Sequence, residues 1–437
     1  MLGFVNICHP DYIDEDAKTL GTDAYRSLSG SGLDILYIEE PVCDKKTAYN
    51  AVERFQCSDV DGIIIFYGAF VLCKTVMDVL TEIRVPVAFW GVPMMERHGI
   101  LSTTGSYVAF SMFNGTVERL GIPHVNIVAC PDSPEARDKI RDFGIVCRTV
   151  KIMRRCSVGL VGYTSMSIYP GTFDHVLMRW KIGPEIEQFD SYSLINRAES
   201  VSSDKIEKAL SLYKSKMRFP ADSTEEMRQK AARLYVALKE LCEEFSLSAI
   251  TVKCQYEFSK EYGMTPCLPL SLLAEDGVVT ACEGDVPCLV SCLMMNFLGG
   301  GIVSYGDAIH HEGNVVKLSP CGFMPFSLGN EGLKETFVST YAVFKGILCS
   351  FVMHPGRMTV MRLAETVGGY KMVYFTGQAL ESKLRGGNMP SVDVRIDGNI
   401  DRLVQNYPGQ HFAICYGDIS ERIEMFCKLK NIECVRI

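Results

Sequence analysis

Short, almost continuously apolar runs recur through the first third of the chain, and they constrain the fold more than any other feature of the sequence. Such runs lie at 2–7, 62–67 and 85–90, and helical patterns at 45–56 and 71–82 separate them. Strands that are buried on both faces have this composition, and parallel strands need helical crossovers. These residues therefore predict a parallel sheet that is covered by helices on both faces.

A second series of strands and helices begins at 157–162. A long, charged helical region at 204–245 leads into further β-type runs at 249–252, 277–281, 301–304 and 315–318. The first series has no G-x-G-x-x-G run, so the sequence does not predict a dinucleotide site. The pattern predicts a second domain built on a parallel sheet.

From about residue 335 the pattern changes to alternating and aromatic runs, separated by Pro-Gly and Gly-Gly turns. The predicted strands of this region are 342–353, 357–366, 371–378, 391–396 and 411–416, before a helix at 420–430 and a strand at 432–437. Alternation of this kind is typical of antiparallel sheets.

The chain of 437 residues is too long for one hydrophobic core. We therefore predict an α/β protein of three domains. Two Rossmann-like or flavodoxin-like parallel-sheet domains occupy 1–156 and 157–327. A C-terminal antiparallel β-barrel domain occupies 328–437.

Composition and charge exclude several classes of protein. The net charge of −8, with no long basic run, is not that of a nucleic-acid-binding protein. The sequence has neither a leader pattern nor about 18 uninterrupted apolar residues, so we expect a cytoplasmic protein without a membrane span. Its 18 cysteines include no C-x-x-C pair, which favours reduced, buried thiols over disulfides or a metal cluster.

Two acids and one imidazole are the first candidates for chemistry. Glu283 follows a predicted strand in A-C-E-G-D-V, Asp307 follows S-Y-G, and His411 opens a late strand. In open α/β sheets ligands bind beyond the carboxyl ends of the strands. Two carboxylates and an imidazole suit Mn²⁺ or Mg²⁺ better than Zn²⁺. Such an ion could bind neighbouring sugar oxygens while a carboxylate moves a proton.

Simpler interpretations of these residues remain open at this point. Acids that follow strands often cap the next helix, and spacing alone does not exclude this for Glu283 and Asp307. Lys253 and Gln255 follow the 249–252 run and could bind sugar hydroxyls, or they could form a solvated strand end.

Several motifs together resemble the L-fucose isomerase/L-arabinose isomerase family. They are K-C-Q, C-E-G-D-V, S-Y-G-D, H-P-G-R-M-T-V-M-R-L-A-E, G-Q-H-F-A-I-C-Y-G-D and the tail K-N-I-E-C-V-R-I. The resemblance covers about 157–437, and the first 150 residues match only in their α/β pattern.

The resemblance implies a Mn²⁺-dependent aldose–ketose isomerase of the fucose isomerase-like branch. It would act through a cis-enediol on an open-chain pentose or 6-deoxyhexose, and it would assemble as a homo-oligomer, a hexamer. The family pattern assigns Glu283, Asp307 and His411 to the metal, with Mg²⁺ or another divalent ion as the alternative. The two acids would carry protons between C1 and C2.

One cluster departs from the family pattern. The family often has a His before Cys-Gly where this chain has Ser319-Pro320-Cys321-Gly322. This difference keeps a second hypothesis open, a non-catalytic sugar-binding or regulatory relative. A periplasmic-type binding protein is disfavoured because the sequence has no leader pattern.

Overall fold

The computed structural model describes residues 1–28, 32–97, 99–341, 343–384 and 389–437. The chain forms two compact units. The first unit is Met1–Lys151 with Glu421–Asn431, and the second is Ile152–Ser420 with Ile432–Ile437. The predicted three-domain division stays a prediction.

In chain order, the strands of the described residues are β1 (Leu2–Ile7), β2 (Ile35–Val42), β3 (Gly62–Tyr67), β4 (Val87–Gly91), β5 (Met95–Arg97), β6 (Ile100–Ser102), β7 (His124–Val128), β8 (Ser157–Val161), β9 (Glu185–Phe189), β10 (Leu247–Val252), β11 (Val279–Cys282), β12 (Ser304–Glu312), β13 (Val315–Ser319), β14 (Gly329–Ser339), β15 (Gly346–Met353), β16 (Gly356–Thr366), β17 (Gly369–Ala379), β18 (Val392–Ile396), β19 (His411–Tyr416) and β20 (Glu433–Arg436).

Helices connect most of these strands. They are α1 (Glu15–Ser27), α2 (Lys45–Cys57), α3 (Cys73–Leu80), α4 (Ser106–Leu120), α5 (Pro134–Met153), α6 (His175–Leu177), α7 (Ser191–Glu199), α8 (Ser203–Lys216), α9 (Glu225–Glu244), α10 (Cys267–Glu275), α11 (Val286–Gly299), α12 (Ile400–Gln405) and α13 (Ser420–Lys430). None of the helices in the described part of the chain is both long enough and apolar enough to cross a membrane.

The first unit contains a parallel sheet with strand order β2-β1-β3-β4-β7. This is the flavodoxin-like order, in which the chain reverses its direction of growth at the first strand. Neighbouring residues of β3 face opposite hydrophobic cores: Ile63 and Ile65 pack with α2, α3 and α4, whereas Ile64 and Phe66 pack with α1, α5 and α13. The nearly continuous apolar runs of the sequence thus arise from burial on both faces, as predicted.

The second unit contains a smaller parallel sheet with strand order β11-β10-β8-β9. Because the chain places β9 on one side of β8 and β10 on the other, the topological switch point lies between β8 and β10. In sheets of this kind the ligand crevice lies beyond the carboxyl ends of the strands at the switch point. The loops that follow β8, β10 and β11 therefore occupy the expected position for a site.

The same unit contains a largely antiparallel sheet with strand order β16-β19-β12-β13-β18-β17-β20. β16 also pairs with β17 along its whole length, and β20 adds to β17 in parallel. Both parallel sheets and the separate, largely antiparallel sheet were predicted. The pairing of β16 with β17 is one that a barrel requires, and closure of a barrel stays a prediction.

The structure corrects one strand that matters for the site. The sequence predicted a strand at 301–304 with Asp307 beyond its end, but β12 runs from Ser304 to Glu312 and includes Asp307. The second half of the strand is largely exposed and shows no apolar–polar alternation, so the sequence pattern ended the prediction too early. In the predicted strand at 342–353, Ala342 lies outside the described residues, and β15 begins at Gly346.

Candidate active site

Three strands bring the two predicted acids and the predicted imidazole together. Glu283 directly follows β11 of the parallel sheet. Asp307 on β12 and His411 on β19 are direct cross-strand partners in the antiparallel sheet. Residues in such a pair have adjacent side chains, so the sheet itself fixes the distance between Asp307 and His411.

The imidazole lies between the two carboxylates. Nε2 of His411 is 3.2 Å from Oε2 of Glu283 and 3.2 Å from Oδ1 of Asp307. His411 and Glu283 are buried, and the side chain of Asp307 is 22% exposed, which makes it the more accessible of the two acids. Despite these short distances, Nε2 of His411 has no partner with hydrogen-bond geometry among the described residues.

The backbone at Glu283 adopts a conformation that side chains rarely occupy. Both Glu283 and Gly284 have positive φ, at 66° and 67°. A Cβ on Gly284 would lie 2.3 Å from the carbonyl oxygen of Tyr163, so only glycine fits there. The peptide NH of Ser165 donates to the carbonyl of Glu283 at 2.8 Å, which ties the loop after β8 to the loop after β11. Strained backbone of this kind is often found where a side chain must be aimed precisely.

Asp285 is a site residue that the sequence reasoning did not single out. Its Oδ1 accepts from the peptide NH of Cys288 at 2.9 Å and so caps α11. Its Oδ2 lies 2.7 Å from Nδ1 of His411. The helix-capping alternative therefore applies to Asp285 and not to Glu283. The signal in the sequence was the D-V-P run, in which an N-cap acid precedes a proline in the first turn.

Arg362 completes this buried chain of contacts. Its Nη1 donates to Oδ2 of Asp285 at 2.9 Å and to the carbonyl of His411 at 3.0 Å, and Nη2 lies 3.3 Å from Oδ1 of Asp285. The side chains of Arg362, Asp285 and His411 are at most 1% exposed. Because Nδ1 of His411 faces the Asp285 carboxylate, it carries a proton, and Nε2 is the nitrogen aimed at Glu283 and Asp307.

Charge interactions shift the pKa values of these groups. Burial would raise the pKa of Asp285, but Arg362 and His411 outweigh it and lower the pKa to about 2. Burial likewise opposes ionisation of Glu283, yet His411, Cys321 and Gln255 lower the pKa of that carboxyl. Burial would lower the pKa of His411, but the surrounding carboxylates raise it well above its ordinary value. Positive charge is therefore strongly favoured between Glu283 and Asp307.

Gln255, predicted to bind substrate, contacts Glu283 directly. Its Nε2 donates to Oε1 of Glu283 at 3.0 Å, and its Oε1 accepts from the hydroxyl of Ser165. Sγ of Cys321 donates to the same Oε1 of Glu283 at 3.2 Å and lies 3.9 Å from Oδ2 of Asp307. Burial and the two acids raise the pKa of the Cys321 thiol well above 9.0, so it remains a neutral donor.

Lys253, the other predicted substrate-binding residue, is buried beside this group. Its Nζ donates to Oε1 of Glu257 at 2.6 Å and lies 3.6 Å from the centre of the Tyr163 ring. Lys253 and Gln255 are at most 1% exposed, so the interpretation of a solvated strand end is wrong for both. Their contact with a sugar stays a prediction.

The donor set fits a hard divalent cation. Two carboxylate oxygens and a neutral imidazole nitrogen are ligands that Mn²⁺ and Mg²⁺ accept. The buried Nε2 of His411, which has no hydrogen-bond partner among the described residues, is oriented as a metal-bound histidine would be, with its other nitrogen held by Asp285.

Sequence comparison connects this chain to sugar isomerases. The sequence matches no model of a known protein family. A sulfoquinovose isomerase from Alkalicoccus urumqiensis is 24% identical over 388 residues, which cover 87% of each chain. One from Priestia megaterium is 22% identical over 419 residues, covering 93% of this chain and 92% of that protein. One from Clostridium sp. is 22% identical over 362 residues, or 80% of each chain.

These similarities extend over most of the chain, including the first unit, which the motifs had left without a clear resemblance. They support the predicted relationship to sugar isomerases, while the particular branch stays a prediction. They also favour an enzyme over the non-catalytic relative that the Ser319-Pro320-Cys321-Gly322 cluster had kept open. The chain is accordingly an enzyme, an intramolecular oxidoreductase of the aldose–ketose isomerase type.

Proposed function

We propose that this enzyme is a metal-dependent sugar isomerase that interconverts an open-chain aldose and its ketose through a cis-enediol. The observation that carries the proposal is the geometry at His411. Oxygens of Glu283 and Asp307 both lie 3.2 Å from its buried Nε2, which has no hydrogen-bond partner among the described residues.

In this proposal Glu283, Asp307 and His411 hold Mn²⁺, with Mg²⁺ or another divalent ion as the alternative. When bound, the ion polarises the sugar carbonyl and stabilises the negative charge that develops on the enediol oxygens. Asp285 keeps the proton on Nδ1 of His411, which leaves Nε2 free as a ligand.

The two acids carry the proton in this mechanism. The lowered pKa of Glu283 keeps it ionised at neutral pH, as a group that accepts a proton from C2 must be. The proton is then returned at C1, and Asp307 is the second carboxylate positioned to take part. Gln255 and Cys321 both donate to Oε1 of Glu283, so they restrict its rotation and leave Oε2 facing His411.

The substrate we propose is a neutral pentose or 6-deoxyhexose. Sulfoquinovose, which names the relatives, has a 6-deoxyhexose skeleton that bears a sulfonate. Binding a sulfonate favours a cation that is free to pair with it. Among the described residues, the two buried Lys or Arg side chains beside the site are Lys253 and Arg362, and each is already paired, with Glu257 and with Asp285.

A turnover assay tests the proposal. Purified enzyme is stripped with EDTA, reloaded with Mn²⁺ and supplied with neutral pentoses, 6-deoxyhexoses and sulfoquinovose. We expect turnover of at least one neutral sugar that requires Mn²⁺, and its loss in Glu283→Gln. Glu312→Gln is the matched control, because Glu312 is exposed and lies on the same strand as Asp307. Full activity in the stripped enzyme would contradict the metal mechanism, and turnover of sulfoquinovose alone would contradict the neutral substrate.

A further inference from the structure

A second set of metal-binding atoms lies against the same glutamate. Sγ of Cys254, Sγ of Cys282 and a carboxylate oxygen of Glu283 all lie within 4.8 Å of one another. We call these three residues the thiol cluster. Cys254 is 1% exposed, Cys282 is fully buried and Glu283 is 3% exposed. The cluster is therefore shielded from solvent and has a defined position.

The parallel sheet positions both thiols. Cys282 is the last residue of β11, and its register partner on β10 is Val252. Cys254 lies two residues beyond that partner. Two neighbouring strand ends thus place the two sulfurs side by side, without a contribution from a long loop.

The ligand atoms of the cluster suit a different ion from the one proposed for His411. Two thiols and one carboxylate are soft to borderline ligands, which favour Zn²⁺ and related thiophilic ions over Mn²⁺ or Mg²⁺. Ligand atoms around a tetrahedral zinc lie about 3–4 Å apart, so the observed spacing needs only a small contraction. The hydroxyl of Tyr305 contacts Sγ of Cys282 and so lies beside the cluster.

We propose that Cys254, Cys282 and Glu283 form a second, inhibitory metal site for thiophilic divalent cations such as Zn²⁺ and Cd²⁺. Glu283 belongs to this site and also to the set formed with Asp307 and His411. Because Glu283 belongs to both sets, the two ions compete for its carboxylate, and a thiophilic ion in the cluster weakens binding of the ion needed for turnover. The inhibitory effect rests on the proposed function, whereas binding of the thiophilic ion does not.

Direct binding of Cd²⁺ tests the site without any turnover. The reduced, metal-free full chain is titrated with Cd²⁺ alone, and the ultraviolet absorption band of Cd²⁺–thiolate bonds is followed together with equilibrium dialysis. Cys254→Ala and Cys282→Ala are each expected to weaken the tightest binding step about a hundredfold, because each removes one of few ligands. Cys147→Ala, a buried thiol of the first unit, is the matched control and is expected to bind as the unaltered chain does.

Equal Cd²⁺ affinity in the unaltered chain and in both cluster variants would overturn the proposal. Because loss of Cys282 also removes the contact with Tyr305, circular dichroism and a thermal melt verify folding, and Cys254→Ser provides the test if Cys282→Ala does not fold. Saturating Mn²⁺ is expected to weaken Cd²⁺ binding in the unaltered chain. Cd²⁺ binding that Mn²⁺ leaves unchanged would show that Glu283 is not shared.

Turnover measurements separate this proposal from the proposed function. With Mn²⁺ present, micromolar Zn²⁺ is expected to inhibit the unaltered enzyme and to leave Cys254→Ala active. An enzyme that binds Cd²⁺ through the cluster but shows no Mn²⁺-dependent turnover would support the site and contradict the proposed function. Mn²⁺-dependent turnover without Cd²⁺ binding to the cluster would support the proposed function and contradict the thiol-cluster site.

Discussion

Arg362 and Asp285 form a buried, two-point ion pair directly behind the imidazole of His411. The guanidinium lies 2.9 Å and 3.3 Å from the two oxygens of Asp285, and Oδ2 of that acid is 2.7 Å from Nδ1 of His411. Buried ion pairs often contribute little net stability, but loss of one partner leaves an unpaired charge. The pair therefore connects the orientation of the proposed metal ligand to the stability of the second unit.

Asp285→Asn is expected to weaken Mn²⁺ binding about 10–100-fold, because the partner that orients a ligating histidine is removed. The cap of α11 survives, since asparagine is an equally good N-cap. The unpaired charge of Arg362 is expected to lower the free energy of unfolding by about 3–5 kcal/mol. Calorimetric titration with Mn²⁺ and urea unfolding measure the two effects.

Asp174→Asn is the matched control for this substitution. Asp174 also caps a helix in the second unit, by accepting from the peptide NH of Leu177 at 2.8 Å, but the site is exposed. It is expected to change neither Mn²⁺ affinity nor stability appreciably. Unchanged Mn²⁺ affinity in a folded Asp285→Asn variant would contradict the orienting role.

Gly284→Ala is expected to be more destabilising than an alanine at another left-handed glycine. Any alanine in this conformation costs about 1–2 kcal/mol. At Gly284 the added Cβ would also lie 2.3 Å from the carbonyl oxygen of Tyr163. Gly300→Ala is the control, because its φ of 69° matches that of Gly284 while nothing lies within 4 Å of its Cβ position. Equal losses of thermal stability in the two variants would show that the Tyr163 contact is readily relieved.

Much of the fold could be predicted because buried strands and helices have recognisable patterns of apolar residues. The burial of β3 on both faces follows from its continuous apolar run, and the strand that begins at His411 follows from a run of apolar and aromatic residues. Asp307 was placed beyond a strand because the second half of β12, where Ala308 and Ile309 are adjacent, shows no apolar–polar alternation. Pairing of Asp307 with His411 is a contact between residues about a hundred positions apart, and periodicity carries no information on such partners.

The candidate site could be predicted only in part, because some of its contacts join residues that are far apart in the sequence. Glu283, Asp307 and His411 were singled out by their positions at the ends of predicted strands, and the motifs that resemble those of known sugar isomerases then assigned them to a metal. Asp285 and Arg362 were missed, since nothing local to either residue indicates that the two meet behind an imidazole. Only the tertiary structure distinguishes an acid that caps a helix from one that also orients a ligand.

An apolar surface of the second unit predicts self-association. Val176 and Trp180 lie one turn apart, line the same surface cleft and are 77% and 85% exposed. Large exposed apolar side chains that cluster usually mark interfaces. We expect a homo-oligomer, a hexamer by resemblance, in which Trp180 is buried between copies. Light scattering is expected to show a smaller species for Trp180→Asp and no change for Lys208→Asp, an exposed position on α8. A monomeric unaltered enzyme would contradict this prediction.

Gln255→Leu separates two roles for this amide, which the sequence predicted to bind substrate. If Gln255 orients Glu283, through the 3.0 Å hydrogen bond to Oε1, its loss lowers kcat and leaves the KM for sugar unchanged. If it binds a sugar hydroxyl, KM rises instead. We expect the first result, with a fall in kcat of about tenfold or more, because Gln255 is fully buried and its two polar atoms are engaged by Glu283 and Ser165.

Ser165→Ala removes only the hydroxyl that holds the amide of Gln255, and this variant is expected to lower kcat by a smaller factor. A raised KM with unchanged kcat in Gln255→Leu would assign the residue to the substrate.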